Sequence, residues 1–258
     1  RRREEGGQRH DQTTRIVTAH DGLTGWLRRS RSDLHMLVTN TPEGSIPYAG
    51  IPWYVAAFGR DSLITALQML PFEPQIARGT LRFLARHQGT RDDPFTDQEP
   101  GRILHELRRG EMAACREIPF IPYYGSVDAT ALFVILFAEY LRWTGDHFLA
   151  EELRPHLDLA LRWILGPGQD EGYLTYTRRS PVGLGNQGWK DSHDAIMHAS
   201  GELASAPIAL VEAQGYKYAA LLGGAEIAEA LDRGDGVRLR DTARRLRERF
   251  EADFWQES

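Results

Sequence analysis

The sequence has little of what secreted, zinc-binding and membrane-spanning proteins require. Its 258 residues include one cysteine, Cys115, which excludes an internal disulfide and a cysteine-rich zinc site. The longest apolar run, from Ala129 to just beyond Phe137, is too short to cross a bilayer. The charged start, RRREEGGQRH, is not followed by the apolar core of a signal peptide. We therefore expect a cytoplasmic protein with no membrane partner.

The chain also lacks an excess of basic residues. Its formal net charge is −5, whereas a nucleic-acid-binding protein usually carries a basic face, so we expect no nucleic-acid partner. His193 and His198 are five residues apart, which does not place both side chains on one helix face as a metal motif would. The glycine-rich run GPGQDEG lacks the Lys-Ser/Thr ending of a phosphate-binding loop. The sequence therefore predicts no metal and no cofactor.

The composition, with 41% hydrophobic and 26% charged residues, is typical of a globular chain that buries one large core. Residues 1–20 are polar, and we expect a disordered lead-in or the remnant of an upstream domain. Residues 21–258 are expected to form one domain. The chain begins without Met and ends in an amphipathic run, so we expect a fragment of a longer protein.

Apolar residues at helical spacing predict about eight helices and almost no strand. The expected helices cover 21–38, 61–70, 74–87, a segment within 103–114, 128–143, 146–155, 155–165, a long run restarted by Pro207, and 238–254. Residues 128–143 are apolar nearly all round, which indicates an interior helix. A short strand in a hairpin is predicted over 172–176. Stacked helical hairpins would gather the long connections 89–120 and 166–205 at one end, where a site is expected.

The second connection contains the segment GLGNQGWKDSHDAIMH at 183–198. Trp189 offers a flat face for a sugar ring, and Lys190 places a cation beside Asp191. A carboxylic acid that is desolvated beside an aromatic plate stays protonated near neutral pH and can protonate a sugar leaving group. An exposed loop with solvated charges is the alternative interpretation. Asp194 is the rival acid within the segment, although it would also serve as a cap.

Four runs, in this order, resemble the bacterial amylo-α-1,6-glucosidase (glycogen debranching enzyme) family of six-hairpin glycosidases. They are GIPWYVAAFGRDSLITALQML, GRILHELRRGEMA, YYGSVDATALFV and NQGWKDSHDAI. The resemblance implies an all-α fold, an (α/α)6 toroid truncated at its C-terminus, of which 21–258 would be the N-terminal two thirds. It implies hydrolysis of α-glucosidic branch linkages in glycogen-like glucans or oligosaccharides by inversion. Asp191 would be the general acid, and no residue here receives the role of base.

Further substrate-binding candidates lie near the same connections. Arg60 and Asp61 are expected at the start of a helix, and the resemblance points to the non-reducing glucose site, although Asp61 there would also favour the helix dipole. Trp53 and Trp189 are candidates for stacking on a pyranose, whereas Trp143 and Trp163 are expected in the core. The remaining candidates are His105, Glu106, Tyr124, Asp128 and Lys190. For Glu106 a solvated ion pair with Arg108 or Arg109, and for Asp128 a helix-terminal acid, are the structural alternatives.

Two other functions remain open. Six-hairpin relatives act on trehalose, mannosylglycerate and other small glucosides or mannosides, so the substrate class is not fixed. The chain could instead be a catalytically incomplete carbohydrate-binding fragment, because only Asp61, Glu106 and Asp128 are internal candidates for a second carboxylate facing Asp191. An isomerase with paired histidines fits less well with a carboxylate-centred segment. A carbohydrate is the expected partner, and the oligomeric state is left open.

Overall fold

The computed structural model describes residues 14, 16–166, 172–190 and 192–255. Most of these residues are helical, which confirms the predicted all-α class. Eight α-helices occur in the described residues: α1 Asp21–Leu37, α2 Gly59–Met69, α3 Pro74–Arg86, α4 Glu111–Ala114, α5 Ala129–Thr144, α6 His147–Leu165, α7 Val211–Ala230 and α8 Gly236–Phe254. No helix in this part of the chain is long and apolar enough to cross a membrane.

Two small antiparallel strand pairs accompany the helices. Strands β1 (Val38–Thr41) and β2 (Gly44–Pro47) form a hairpin that packs on α2 and α3. Strand β3 (Ala57–Phe58) pairs with β4 (Glu106–Leu107), with Phe58 opposite Glu106. This second pair matters for the site, because it joins the start of α2 to the first long connection.

The long helices pack as three successive pairs, α2 with α3, α5 with α6, and α7 with α8. Helix α5 lies in the middle and also contacts α2, α3 and α7. Its apolar sequence explains this position, since eleven of its residues are buried. The predicted interior helix at 128–143 is confirmed.

Local signals in the sequence account for several helix ends. Pro74 occupies the first turn of α3, where its missing N–H costs nothing. Gly145 ends α5 in the left-handed region with φ 64°, and its N–H donates to the Leu141 carbonyl at 2.8 Å. Asp146 then caps α6 by accepting from the Leu149 N–H at 3.0 Å. These ends agree with the predicted boundaries to within one or two residues.

The predicted break at Pro155 is wrong, because α6 continues through it from His147 to Leu165. Pro155 removes one helical hydrogen bond, but its side chain is exposed and disturbs no packing. Leu153 and Leu157 on either side of it are both buried. Burial of one continuous apolar stripe therefore outweighs the local cost of the proline.

Three other predicted elements differ from the structure. The helix predicted within 103–114 is confined to α4, because residues 106–107 form β4 and pair with β3. In place of a hairpin at 172–176, Tyr176 alone forms a bridge with the distant Ile208. That bridge keeps residues near Pro207 extended and delays the start of α7 to Val211. In each case the predicted element differs because the segment pairs with residues far away in the sequence.

The two tryptophans predicted to lie in the core behave differently. Trp143 is 57% exposed, so this prediction is wrong; it lies in the last turn of α5, beyond the buried part of that helix. Trp163 is partly buried and packs against the core. In the lead-in, the Thr14 N–H donates to the Phe72 carbonyl, and 1–13 and 15 lie outside the described residues.

Candidate active site

The N-terminal ends of α2 and α5 meet at a partly buried ion pair. The Arg60 guanidinium in the first turn of α2 donates to a carboxylate oxygen of Asp128 at 2.9 Å. Asp128 also accepts from the Ser126 hydroxyl at 2.5 Å, and its side chain makes no capping bond. The Ser126 hydroxyl instead accepts from the Ala129 N–H at 3.3 Å. The carboxylate of Asp128 therefore faces Arg60 rather than capping its own helix.

Helix α7 adds a tyrosine to this end of the structure. Burial raises the pKa of Tyr216, and the negative charges of Asp128 and Glu212 raise it further, while Arg60 lowers it. Tyr216, in the second turn of α7, therefore lies near enough to Asp128 and Arg60 for their charges to act on its hydroxyl. The starts of α2 and α5 thus share an ion pair of a partly buried cation and a buried anion, and Tyr216 of α7 lies near it.

A second buried carboxylate belongs to Glu106 on β4. Burial raises its pKa, the hydrogen bond from the Arg108 guanidinium and the charge of Arg108 lower it, and the nearby charge of Asp61 raises it. The contact with Arg108 is an ion pair, as one of the sequence interpretations had it, but Glu106 is buried instead of solvated. Asp61 therefore lies close enough for its charge to act on the Glu106 carboxylate.

His105 precedes Glu106 and is also buried. Burial, together with the charges of Arg60, Arg102 and Arg108, lowers its pKa to about 3, so the imidazole is neutral near pH 7. Its Nδ1 is buried and has no hydrogen-bond partner among the described residues. The ring makes edge contacts with Phe58 and Tyr123. A neutral imidazole has one hydrogen-bond donor and one acceptor, and it adds no positive charge here.

Close backbone contacts hold His105 against the start of α2. The Gly59 N–H donates to the His105 carbonyl at 2.8 Å, and the His105 N–H donates to the Tyr123 carbonyl at 2.7 Å. A side chain at Gly59 would place a Cβ 2.1 Å from the Leu104 carbonyl oxygen. Only glycine allows this approach, which explains why it stands directly before Arg60.

The second long connection reaches the same end of the structure. The Val127 N–H donates to the Gln187 carbonyl at 2.9 Å, which fixes that loop beside Asp128. Trp189 is 54% exposed and Lys190 is exposed. Asp191, the predicted general acid, lies outside the described residues, and its rival Asp194 is exposed.

The aromatic candidates of the first half of the chain differ in exposure. Trp53 is 84% exposed, and its neighbour Tyr54 makes an edge contact with Phe58 at 6.0 Å. A flat exposed indole is available for stacking on a sugar ring. Tyr124 is buried in the core, and its hydroxyl donates to the His87 carbonyl at 2.7 Å. Burial raises the pKa of Tyr124 to about 12, so this hydroxyl stays protonated and can donate to the residue that directly follows α3.

Sequence reasoning missed a buried polar network behind these residues. It is centred on the carboxylate of Asp97 and on the guanidinium of Arg102, which lies over the Trp163 ring at 5.2 Å. Asp97 has φ 52°, a left-handed conformation that Asp tolerates better than most residues. The polar run DQEPGR at 97–102 is the only signal in the sequence, and it does not reveal the distant partners.

The described residues contain no group of three or more His, Cys, Asp or Glu side chains placed to hold a metal ion. In comparisons with known proteins, the chain matches no protein-family model and no curated protein.

Proposed function

We propose that the chain is a glycoside hydrolase of the six-hairpin type, similar to amylo-α-1,6-glucosidase, acting on α-glucosidic branch linkages of glycogen-like glucans or oligosaccharides. The proposal includes an (α/α)6 arrangement for its domain. Three consecutive helix pairs with α5 at their centre support this arrangement. The motif runs NQGWKDSHDAI and YYGSVDATALFV support the family.

The observation that carries the proposal is the convergence of charged side chains at one end of the helices. The Arg60–Asp128 pair, the Asp61 and Glu106 carboxylates, and the loop ending at Lys190 all lie there. Sugar hydroxyls bind to such paired donors and acceptors, and the exposed faces of tryptophans supply stacking. This composition fits a carbohydrate better than an anionic or a purely apolar ligand.

In the proposed reaction, Asp191 protonates the glycosidic oxygen while water attacks the anomeric carbon from the opposite face. Inverting enzymes place the two carboxyl groups about 6.5–9.5 Å apart to leave room for that water. Within the described residues, Asp128 is engaged by Arg60 and Glu106 by Arg108. The base is therefore not assigned to any of them.

The test is hydrolysis of an oligosaccharide that carries one α-1,6-linked glucose, with trehalose and mannosylglycerate as competing substrates. We expect glucose release from the branched substrate to fall about 10²–10⁴-fold in Asp191→Asn, because general acid catalysis contributes that much. NMR of the first product should show the β-anomer of glucose. A loss limited to a few fold would overturn the role of Asp191.

Asp194→Asn is the matched control, because it makes the same change three residues later at an exposed position. We expect its rate to stay within about twofold of the unmodified chain. If Asp194→Asn loses the activity and Asp191→Asn keeps it, the two assignments are reversed. Preference for trehalose or mannosylglycerate would retain the enzyme class and replace the substrate.

Binding without hydrolysis is the second candidate function. The pairing of Asp128 and Glu106 with arginines favours it, since both carboxylates are occupied in the described part of the chain. Calorimetric titration of the branched oligosaccharide, followed by product analysis, separates the two functions. Saturable binding with no released glucose would favour a carbohydrate-binding role.

A further inference from the structure

Asp97 is a fully buried carboxylate whose two oxygens accept four hydrogen bonds from other segments. One oxygen accepts from the Arg179 and Ser180 N–H groups at 2.8 and 3.1 Å. The other accepts from the Tyr123 hydroxyl at 2.9 Å and from the Gln187 side-chain amide at 3.3 Å. Three of these donors belong to one loop, residues 179–190. Asp97 therefore ties that loop to the first long connection.

Arg102 completes the network from the other side. Its guanidinium donates to the Asp97 carbonyl at 3.1 Å and to the Gln187 side-chain oxygen at 2.7 Å. Burial lowers the pKa of Arg102, while the charges of Glu99 and Asp97 raise it. The Gln187 side chain is thus held at both of its polar ends. An amide that is hydrogen-bonded at both its oxygen and its nitrogen fixes the loop more firmly than a single contact does.

The loop is seated directly on Tyr123. The tyrosine hydroxyl, which donates to Asp97, accepts from the Leu184 N–H at 2.8 Å. A Cβ on Gly183 would lie 2.5 Å from the same hydroxyl oxygen, so glycine is required for this contact. At the far end of the loop, the Gln187 carbonyl accepts from the Val127 N–H.

We propose that Asp97 is a positioning residue, which holds the loop 179–190 in place beside Asp128 before any sugar binds. This inference rests on the proposed function, in which the loop leads directly into the acid. Preorganisation of this kind raises the rate without raising affinity for the substrate, because it aligns reacting groups. The donors to the Asp97 carboxylate among the described residues are Arg179, Ser180, Tyr123 and Gln187, which are not predicted to bind substrate, so its effect on the reaction is indirect.

Two substitutions test the proposal. Asp97→Asn replaces one acceptor oxygen by an NH₂ group, which faces two hydrogen-bond donors in either orientation of the amide. Tyr123→Phe keeps the ring and removes only the hydroxyl between Asp97 and Leu184. We expect amide hydrogen exchange in 179–190 to become about tenfold faster in each variant, and to accelerate more than exchange in α5, which reports only the change in global stability. Tyr123→Phe is the milder substitution, because it removes only one hydroxyl. Its exchange rates therefore test the proposal if the Asp97→Asn variant does not fold.

Asp93→Asn is the matched control from the same connection. Its carboxylate accepts from the Phe95 N–H at 3.1 Å and contacts Arg91, both within its own segment. We expect its loop exchange and turnover to equal those of the unmodified chain. For the branched oligosaccharide, kcat should fall about tenfold in Tyr123→Phe while KM stays within about twofold.

Unchanged loop exchange in both variants would overturn the proposal. Faster exchange with unchanged kcat would also overturn it, because the network would then only stabilise the fold. If the unmodified chain hydrolyses none of the sugars, the proposed function fails by itself. The exchange data then still decide whether Asp97 holds the loop.

Discussion

Burial is the main cause that keeps His105 unprotonated, and the sequence around this residue does not reveal it. An unperturbed histidine titrates close to physiological pH, but the buried ring of His105 has a pKa of about 3. Three arginines add to the effect of burial, although none of them donates to the ring. The residue therefore contributes a neutral imidazole at the start of α2.

This shift predicts a loss of stability in acid. The unfolded chain takes up a proton on His105 below its ordinary pKa of 6.5, whereas the folded chain takes it up only near 3. Unfolding is thus increasingly favoured as the pH falls from 6.5 towards 3, by up to about 1.4 kcal/mol per pH unit. Urea unfolding of the unmodified chain and of His105→Phe, carried out from pH 7 to pH 4, measures how the free energy of unfolding depends on pH. We expect the unmodified chain to lose stability relative to the variant, and a pH-independent difference would contradict the assignment.

Individual site residues were predictable only where the sequence supplies a local reason. Arg60 and Asp61 follow a glycine at a helix start, and the structure places Arg60 in the first turn of α2. Its partner Asp128 lies 68 residues away, and spacing alone does not reveal such a pair. For the same reason the role of Asp97 could not be predicted, because its hydrogen-bond donors lie 26 to 90 residues further along the chain.

At the scale of elements, α6 is a continuous helix with a proline in its middle. Pro155 cannot donate to the Glu151 carbonyl, and its ring crowds that turn. The sequence predicted helix on both sides of this proline, but the local rule for proline placed a boundary where the structure has none. Helix ends were predicted well because caps act within one turn, whereas the β3–β4 pair depends on residues 48 and 50 positions apart.

Replacing this proline should stabilise the protein. Pro155→Ala restores an N–H donor at an exposed position, and we expect the free energy of unfolding to rise by about 1–3 kcal/mol. Chemical denaturation monitored by circular dichroism measures the change. Pro74→Ala is the control, since Pro74 occupies the first turn of α3, where a backbone N–H would have no acceptor within the helix. An equal gain in both variants would show that the helical position of Pro155 is not the cause.

At the scale of the molecule, burial is distributed very unevenly along the chain. Helix α5 contacts helices of all three pairs and contributes eleven buried residues. Helix α1 contributes none, although its His35 ring lies 2.6 Å from the carboxylate of Glu73. Leu34 is partly buried against the core, but a helix with so little buried apolar surface gains little stability from tertiary packing. We therefore expect α1 to open without unfolding the rest.

Native-state hydrogen exchange tests this difference. Amides in the middle of α5 should exchange only through global unfolding, so that their opening free energies equal the stability of the protein and fall steeply with urea. Amides of α1 should exchange faster and with little dependence on urea, because local opening exposes little surface. The loop 179–190 should resemble α5 more than α1, since the buried carboxylate of Asp97 anchors it. Equal protection and equal urea dependence in α1 and α5 would mean that both helices open in one cooperative step, and that the few contacts of α1 suffice to couple it to the core.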